Sequence, residues 1–281
     1  MITDFKDIYA SIERGYNICT SDGVAIVRAD NLSCIDGLEH GFSTRIGGIS
    51  SAPFDSLNLG LSRNEPRENI LRNFSILSDS FSLDYNILAV VNHEHGSNVL
   101  RLDKNDRGRG LFREPLPFSD GLITNDPGVT LVTAHADCSA VFLYDKVTRS
   151  IGLAHAGWKG TFKRVGQRLC ERMVSEFGCD PSNIIAAIGP CICFDCFEVD
   201  AQLGEDFKNE FGYDGIVKPG RKGKSYVDIE AALAIQLLEA GVVSDHLSIM
   251  HLCTYERKDL FYSYRRDGAD TGSMASFMRL V

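Results

Sequence analysis

Two apolar runs between Val129 and Gly160 end in side chains that bind metals. TLVTAHA leads to Asp137 and Cys138, and SIGLAHA carries His155 just before Ala-Gly-Trp158. A further imidazole, His95, lies in the earlier stretch VVNHEHG. Two imidazoles and one thiolate on separate elements make a complete protein ligand set for catalytic zinc, which keeps a fourth position open to water or substrate. Such an ion supplies Lewis acidity and activates water near neutral pH, so these residues point to a zinc enzyme acting on a small molecule.

The elements that must hold these residues are legible from periodicity. Each run is short, β-branched at its start and bounded by turn residues, as a buried strand is. Cys138 and His155 are too far apart for one local loop, and neighbouring strands would bring their ends together. DGLIT, VTLVTAHADC, AVFLYD and SIGLAHAGW predict four strands in close succession, and DGVAIVRAD predicts a hairpin strand after an Asp-Gly turn. An amphipathic helix is predicted from Asn64, with Ile70, Phe74, Leu77 and Phe81 inward. A second runs from Trp158 with Phe162, Val165, Leu169, Met173 and Phe177 on one stripe and Gly178 as its stop. Its N-terminus, with Lys159 beside it, would suit an anion. In a strand His93 and His95 would share one face and Glu94 the other. DKNDRGRGLFREPLPFSDG, rich in charge, Gly and Pro, predicts a mobile loop. KPGRKGKSY reads as a basic connection, DIEAALAIQLLEAGV as a capped helix, and LSIMHLCTY as the final strand.

Other positions offer chemistry. In HGFSTRIGGIS a short strand runs into Arg45 and then Gly47-Gly48, where an arginine can fork onto phosphate or carboxylate; a surface turn with a solvated arginine is the alternative. Arg265 sits among aromatics in FYSYRRDG, pointing either into the site or to solvent. Cys191-x-Cys193-x-x-Cys196 invites a metal-cluster reading, yet no fourth ligand stands at a usual spacing, which favours reduced thiols in or near the core. No strand-to-helix junction carries a glycine-rich nucleotide-binding pattern.

Composition bounds the rest. With 281 residues, 44% hydrophobic and no repeat or linker, the chain reads as a single domain over 1–281 with its first twenty or so residues peripheral. A formal charge of -9 disfavours nucleic acid and anionic membrane as partners, because both need phosphate neutralisation. No apolar run approaches a membrane span and the N-terminus lacks signal-peptide character, so a cytoplasmic protein is expected. Nine cysteines, an odd number, read as thiols and ligands in a reducing compartment.

HGFSTRIGG, SLNLG, the HG of HEHG, DGLIT, ADC, HAGWKGT, IGPCI, CFEV and SYRRDG, in that order from about His40 to the C-terminus, resemble the YfiH family, also called laccase-domain or multicopper polyphenol oxidase proteins. The resemblance implies an α/β (α+β) domain of layered mixed sheets flanked by helices, similar to the deamidase domain of a cytotoxic necrotising factor. It implies a zinc-dependent purine nucleoside enzyme that phosphorolyses adenosine, inosine and 5′-methylthioadenosine and deaminates adenosine. Purine nucleosides and phosphate would be its partners, and a monomer or weak homodimer its state. The family's zinc ligands fall on His95, Cys138 and His155. The chain departs from the family at His93 (usually Gln), His135 (aromatic or Thr), Ala140 (Pro), Lys159 (Arg) and Ser273 (often Arg).

On that reading Asp137 is the first candidate proton shuttle and His135 the second, although Asp137 could instead orient a ligand histidine. Arg45 is the first candidate to position phosphate, assisted by Arg265 or Lys159. Three rivals remain. A copper polyphenol oxidase needs roughly ten histidines, mostly in His-x-His pairs, whereas this chain has seven and one such pair, leaving copper only as an adventitious or alternative ion. A metal-free cysteine hydrolase or deamidase would use Cys138 as nucleophile and His155 as base. A binding protein without turnover is the third.

Overall fold

The computed structural model describes residues 5–281. Two sheets are laid face to face. The larger has seven strands, in the spatial order Glu13–Arg14, Leu247–Ile249, Ile184–Ile188, Ser139–Asp145, Ser150–Ala156, Gly121–Thr124 and Val99–Arg101. The second has six, in the order Tyr16–Ser21, Val24–Ala29, Leu38–Ser43, Met274–Leu280, Thr130–His135 and Leu88–Val90. Both mix parallel and antiparallel pairs, which is the layered mixed α/β class expected.

The core follows from the alternation of side chains along each strand. Leu131, Phe142, Tyr144, Ile151 and Leu153 pack with Val27, Phe42 and Met278 between the sheets. Val141, Leu143, Ala154 and Ala156 face the opposite way, onto the helices Val165–Phe177 and Ile229–Glu239. The outer face of the six-stranded sheet, with Val132 and Phe277, is covered by Ile70, Phe74 and Leu77 of the helix Arg67–Ser80. By the same parity Cys138, one residue before its strand, and His155 and His135, near the ends of theirs, project into the space between the sheets.

Several local expectations are corrected. The helix predicted from Trp158 is two, Trp158–Phe162 and Val165–Phe177, because Arg164 adopts a left-handed conformation (φ 63°) while its guanidinium donates to Glu210 and Glu239. The first is only five residues long, so little dipole develops where an anion was expected. The basic stretch Lys218–Tyr226 is a hairpin, whose strands Val217–Pro219 and Lys224–Val227 join Glu198–Asp200 in a small third sheet. Met274–Leu280, not LSIMHLCTY, is the last strand, and it sits in the middle of the six-stranded sheet. Within the charged loop over 103–121, Arg109 donates to Asp106 and Pro115 O, and Arg113 to the carbonyls of Asn105 and Arg107. The Asp22-Gly23 hairpin turn stands as expected, both residues at positive φ. Among the described residues no helix is long and apolar enough to cross a membrane.

One buried group ties this fold to pH. His40 is 1% exposed, and its Nε2 accepts the Ala29 N–H at 3.0 Å. Burial, then the nearby Arg28 charge, lowers its pKa from 6.5 to about 3. The unfolded chain therefore takes up a proton that the folded chain refuses, and stability is lost as pH falls below about 6.5. The thermal midpoint should fall between about pH 6.5 and about pH 4 more steeply in the wild type than in His40→Gln, whose amide oxygen can accept the same bond. Superimposable pH profiles would contradict this.

Candidate metal centre

His95, Cys138 and His155 offer one donor atom each, all within 4.8 Å of one another. Cys138 lies between the strands Thr130–His135 and Ser139–Asp145, and His155 pairs with Ala140 across the hairpin. His95 comes from a turn, not a strand, and has φ 55°. The centre of the cluster is kept open by Gly157. A Cβ there would lie 2.9 Å from Cys138 Sγ, 3.3 Å from His95 Nδ1 and 3.5 Å from His155 Cε1, so only glycine leaves room among these atoms.

Asp120 orders the cluster, and the sequence reading assigned it no role. Its side chain is fully buried. Asp120 Oδ1 accepts from His155 Nδ1 at 2.9 Å, leaving the other ring nitrogen for the cluster. Asp120 Oδ2 accepts the backbone N–H of Gly96 at 2.6 Å and of Glu94 at 3.3 Å, which bends residues 93–96 into the turn that delivers His95. Burial alone would lower His155, but Cys138 and the Asp120 carboxylate outweigh it and raise the imidazole to about 9. A soft thiolate beside two imidazoles, one held in a fixed tautomer by a buried carboxylate, is a donor set that fits zinc.

The two candidate shuttles are both tethered. Asp137, at φ 81°, accepts the Thr254 hydroxyl on Oδ1 and the Arg265 backbone N–H on Oδ2, each at 2.7 Å. The histidine-orienting task weighed for Asp137 therefore falls to Asp120. His135 is buried, with Nε2 at 2.8 Å from both Thr133 Oγ1 and Ser276 Oγ, and Nδ1 at 3.1 Å from Cys138 O. Burial, then His155, pushes it well below the ordinary imidazole range. His93 accepts the Ala134 N–H and stacks on His155 with centroids 4.1 Å apart.

The cluster opens on a cavity of about 860 Å³ lined by Arg63, Lys159 and Arg265 and by Phe118, Trp158 and Tyr264. Arg45 is not among its lining residues. The Arg45 guanidinium is consumed by Asp55, through its carbonyl at 2.8 Å and its carboxylate at 3.1 Å, and lies over the Tyr262 ring. Arg63 does line the cavity. Burial lowers its pKa, while Tyr264, Cys138 and Asp137 pull the other way. Its only sequence signal was a position shortly after SLNLG.

Residues 39–281 match the family described as multi-copper polyphenol oxidoreductase laccase. The chain belongs to this family. Among its laccase-family relatives, YlmD of Bacillus subtilis (strain 168), named a purine nucleoside phosphorylase, is 34% identical over 241 residues, 85% of this chain and 87% of that one. A purine nucleoside phosphorylase of Deinococcus radiodurans is 37% identical over 257 residues, 91% and 92% of the two chains. The crystal structure of YlmD from Geobacillus stearothermophilus superposes with a TM-score of 0.86 at 30% identity, over 93% of this chain and 97% of that one. That of Bacillus licheniformis YfiH gives 0.87 at 28% identity, over 95% and 99%.

At Ser273, where the resemblance to the laccase family calls for arginine, the hydroxyl accepts from Arg63 Nε at 2.9 Å. The positive charge therefore reaches this wall of the cavity from a different part of the chain. Removing the carboxylate that orders the cluster should be costly. Asp120→Asn is expected to weaken zinc binding by roughly 10–100-fold in a chelator competition while the far-ultraviolet spectrum is retained. Wild-type affinity in that variant would show that Asp120 does not support the site.

Proposed function

We propose that this laccase-family chain is a zinc-dependent purine nucleoside phosphorylase, releasing free base and ribose 1-phosphate from adenosine and inosine, and the methylthio sugar phosphate from 5′-methylthioadenosine. The observation that carries the reading is the convergence of His95, Cys138 and His155 on the wall of a cavity of nucleoside size. The names of the relatives point the same way.

Zinc held by these residues would supply a fixed positive charge and Lewis acidity beside the bound substrates. The remaining work falls to side chains. Phe118, Trp158 and Tyr264 are 63%, 38% and 55% exposed and line the cavity, offering ring faces on which a purine can stack. Arg63 presents a partly desolvated guanidinium that can fork onto phosphate oxygens. Lys159, whose ammonium lies 5.5 Å from the Trp158 ring centroid, adds a mobile charge at the rim. Arg265 lines the cavity while its Nη1 is held by Glu198 O at 2.9 Å, and Asp137 fixes its backbone. We therefore assign Asp137 and His135 as positioning residues, and place no substrate contact on Arg45. Adenosine deamination is proposed as a second reaction of the same site. The multicopper reading is disfavoured because four of the seven histidines crowd around one centre, with ring centroids 4.1–6.4 Å apart, leaving too few for further copper sites.

Zinc-loaded protein given inosine should form hypoxanthine and ribose 1-phosphate only when phosphate is present. Cys138→Ala should lose turnover together with the zinc held by His95 and His155, and Arg63→Gln should raise KM for phosphate about tenfold or more with smaller change in KM for inosine. An unchanged inosine rate in Cys138→Ala would remove the metal from the reaction. Activity that persists in metal-free enzyme and is lost to iodoacetamide would favour the cysteine hydrolase instead.

A further inference from the structure

Away from this centre, two turns bring four more donor groups together. Cys193 and Cys196 follow the strand Ile184–Ile188, and Cys253 and Glu256 follow Leu247–Ile249. These strands are parallel neighbours, with Ile188 opposite Ile249, so both chains leave the sheet at the same end. A bridge between Cys191 and Cys253 continues the pairing beyond them, with Cys191 N donating to Leu252 O and Thr254 N to Cys191 O. Each segment then closes a tight turn: Cys196 N donates to Cys193 O, and Arg257 N to Cys253 O, both at 3.0 Å. The spacings Cys-x-x-Cys and Cys-x-x-Glu thereby put the first and fourth side chains of each turn side by side.

The sulfurs of Cys193, Cys196 and Cys253 and a carboxylate oxygen of Glu256 all lie within 4.8 Å of one another. Cys193 N donates to Cys253 Sγ at 3.4 Å, and Cys196 Sγ lies 3.6 Å from Glu256 Oε1. Backbone amides aimed at sulfur stabilise a thiolate, which is the ligand form. Cys191, which the sequence grouped with this set, instead turns its buried sulfur toward Glu230.

We propose that Cys193, Cys196, Cys253 and Glu256 form a second metal site that takes one thiophilic divalent ion, with zinc as the fitting ion. Four protein donors leave no open position, which is the pattern of a structural site. Donor atoms this close surround one ion and leave no space for a multi-iron cluster. On binding, metal–sulfur bonds replace the S–H bonds, the three thiol protons pass to solvent, and the Glu256 carboxylate completes the set.

The ion would brace the first centre. Thr254, next to Cys253, donates its hydroxyl to Asp137, and Ile192, next to Cys193, donates its N–H to Asp137 O. Arg265 donates to Cys196 O at 3.4 Å. Both turns therefore grip the residue adjoining Cys138, and a metal clip across them holds that wall of the cavity in place.

Metal analysis of protein purified under reducing conditions should find about two zinc equivalents per chain in the wild type, about one in Cys138→Ala, about one in Cys196→Ser, and almost none in the double variant. Cobalt supplies a second readout that does not depend on Cys196→Ser folding. In Cys138→Ala the donors left at the first centre are imidazole and carboxylate, so an intense sulfur-to-cobalt charge-transfer band with tetrahedral d–d bands reports the second site, and Glu256→Gln in that background should alter the d–d bands. A folded Cys138→Ala protein that binds neither zinc nor cobalt would overturn the proposal. So would a Cys193–Cys253 disulfide found by mass spectrometry in protein isolated under reducing conditions, because that bond consumes two of the ligands.

Discussion

A carboxylate with no exposed surface is unfavourable unless every lone pair it turns inward finds a partner. Asp120 meets that condition by accepting from His155 on one oxygen and from the backbone of Glu94 and Gly96 on the other. The same bonds that compensate its burial set the tautomer of one candidate ligand and shape the turn that delivers another. His155 N also donates to Asp120 O at 2.7 Å, so the residue is held along its whole length by the strand it serves. The centre is thus coupled to the sheet through one residue: the bonds that satisfy Asp120 also place His95 beside His155.

The second constraint is the layering. Because both sheets bury their facing sides in one core, the inward parity of Thr130–His135, Ser139–Asp145 and Ser150–Ala156 is fixed by Leu131, Phe142 and Leu153. The ends of those strands must then send His135, Cys138 and His155 into the same gap. Gly157 completes the arrangement by contributing nothing there, since any side chain would occupy the space the donor atoms share. Met274–Leu280, the neighbour of Thr130–His135 in the six-stranded sheet, adds Ser276, which holds His135.

How much of this the sequence disclosed depends on whether a residue's role is local. The strands around Cys138 and His155, the helix near Ile70 and the Asp-Gly hairpin were legible because periodicity and turn chemistry act over a few residues. The donor set was legible because metal-binding side chains are rare at the ends of apolar strands. Asp120 was not, because an aspartate before a glycine looks like a turn until the turn carrying His95 is folded onto it. The place of Arg63 on the cavity wall was hidden for a similar reason, and at Arg45 a glycine pair marks close backbone approach, but the arginine beside it spends its fork on Asp55. The break at Arg164 depends on Glu210 and Glu239, and the partners of Cys193 and Cys196 arrive from the turn at Cys253, all far along the chain.

The central claim is that one divalent ion sits among His95, Cys138 and His155. Diffraction from crystals of the zinc-loaded protein, recorded on both sides of the zinc absorption edge, tests it most directly. An anomalous peak is expected about 2.0–2.3 Å from a nitrogen of each histidine and from Cys138 Sγ, with a vacant side facing the cavity. Zinc-loaded crystals with no anomalous density among these three residues would contradict it.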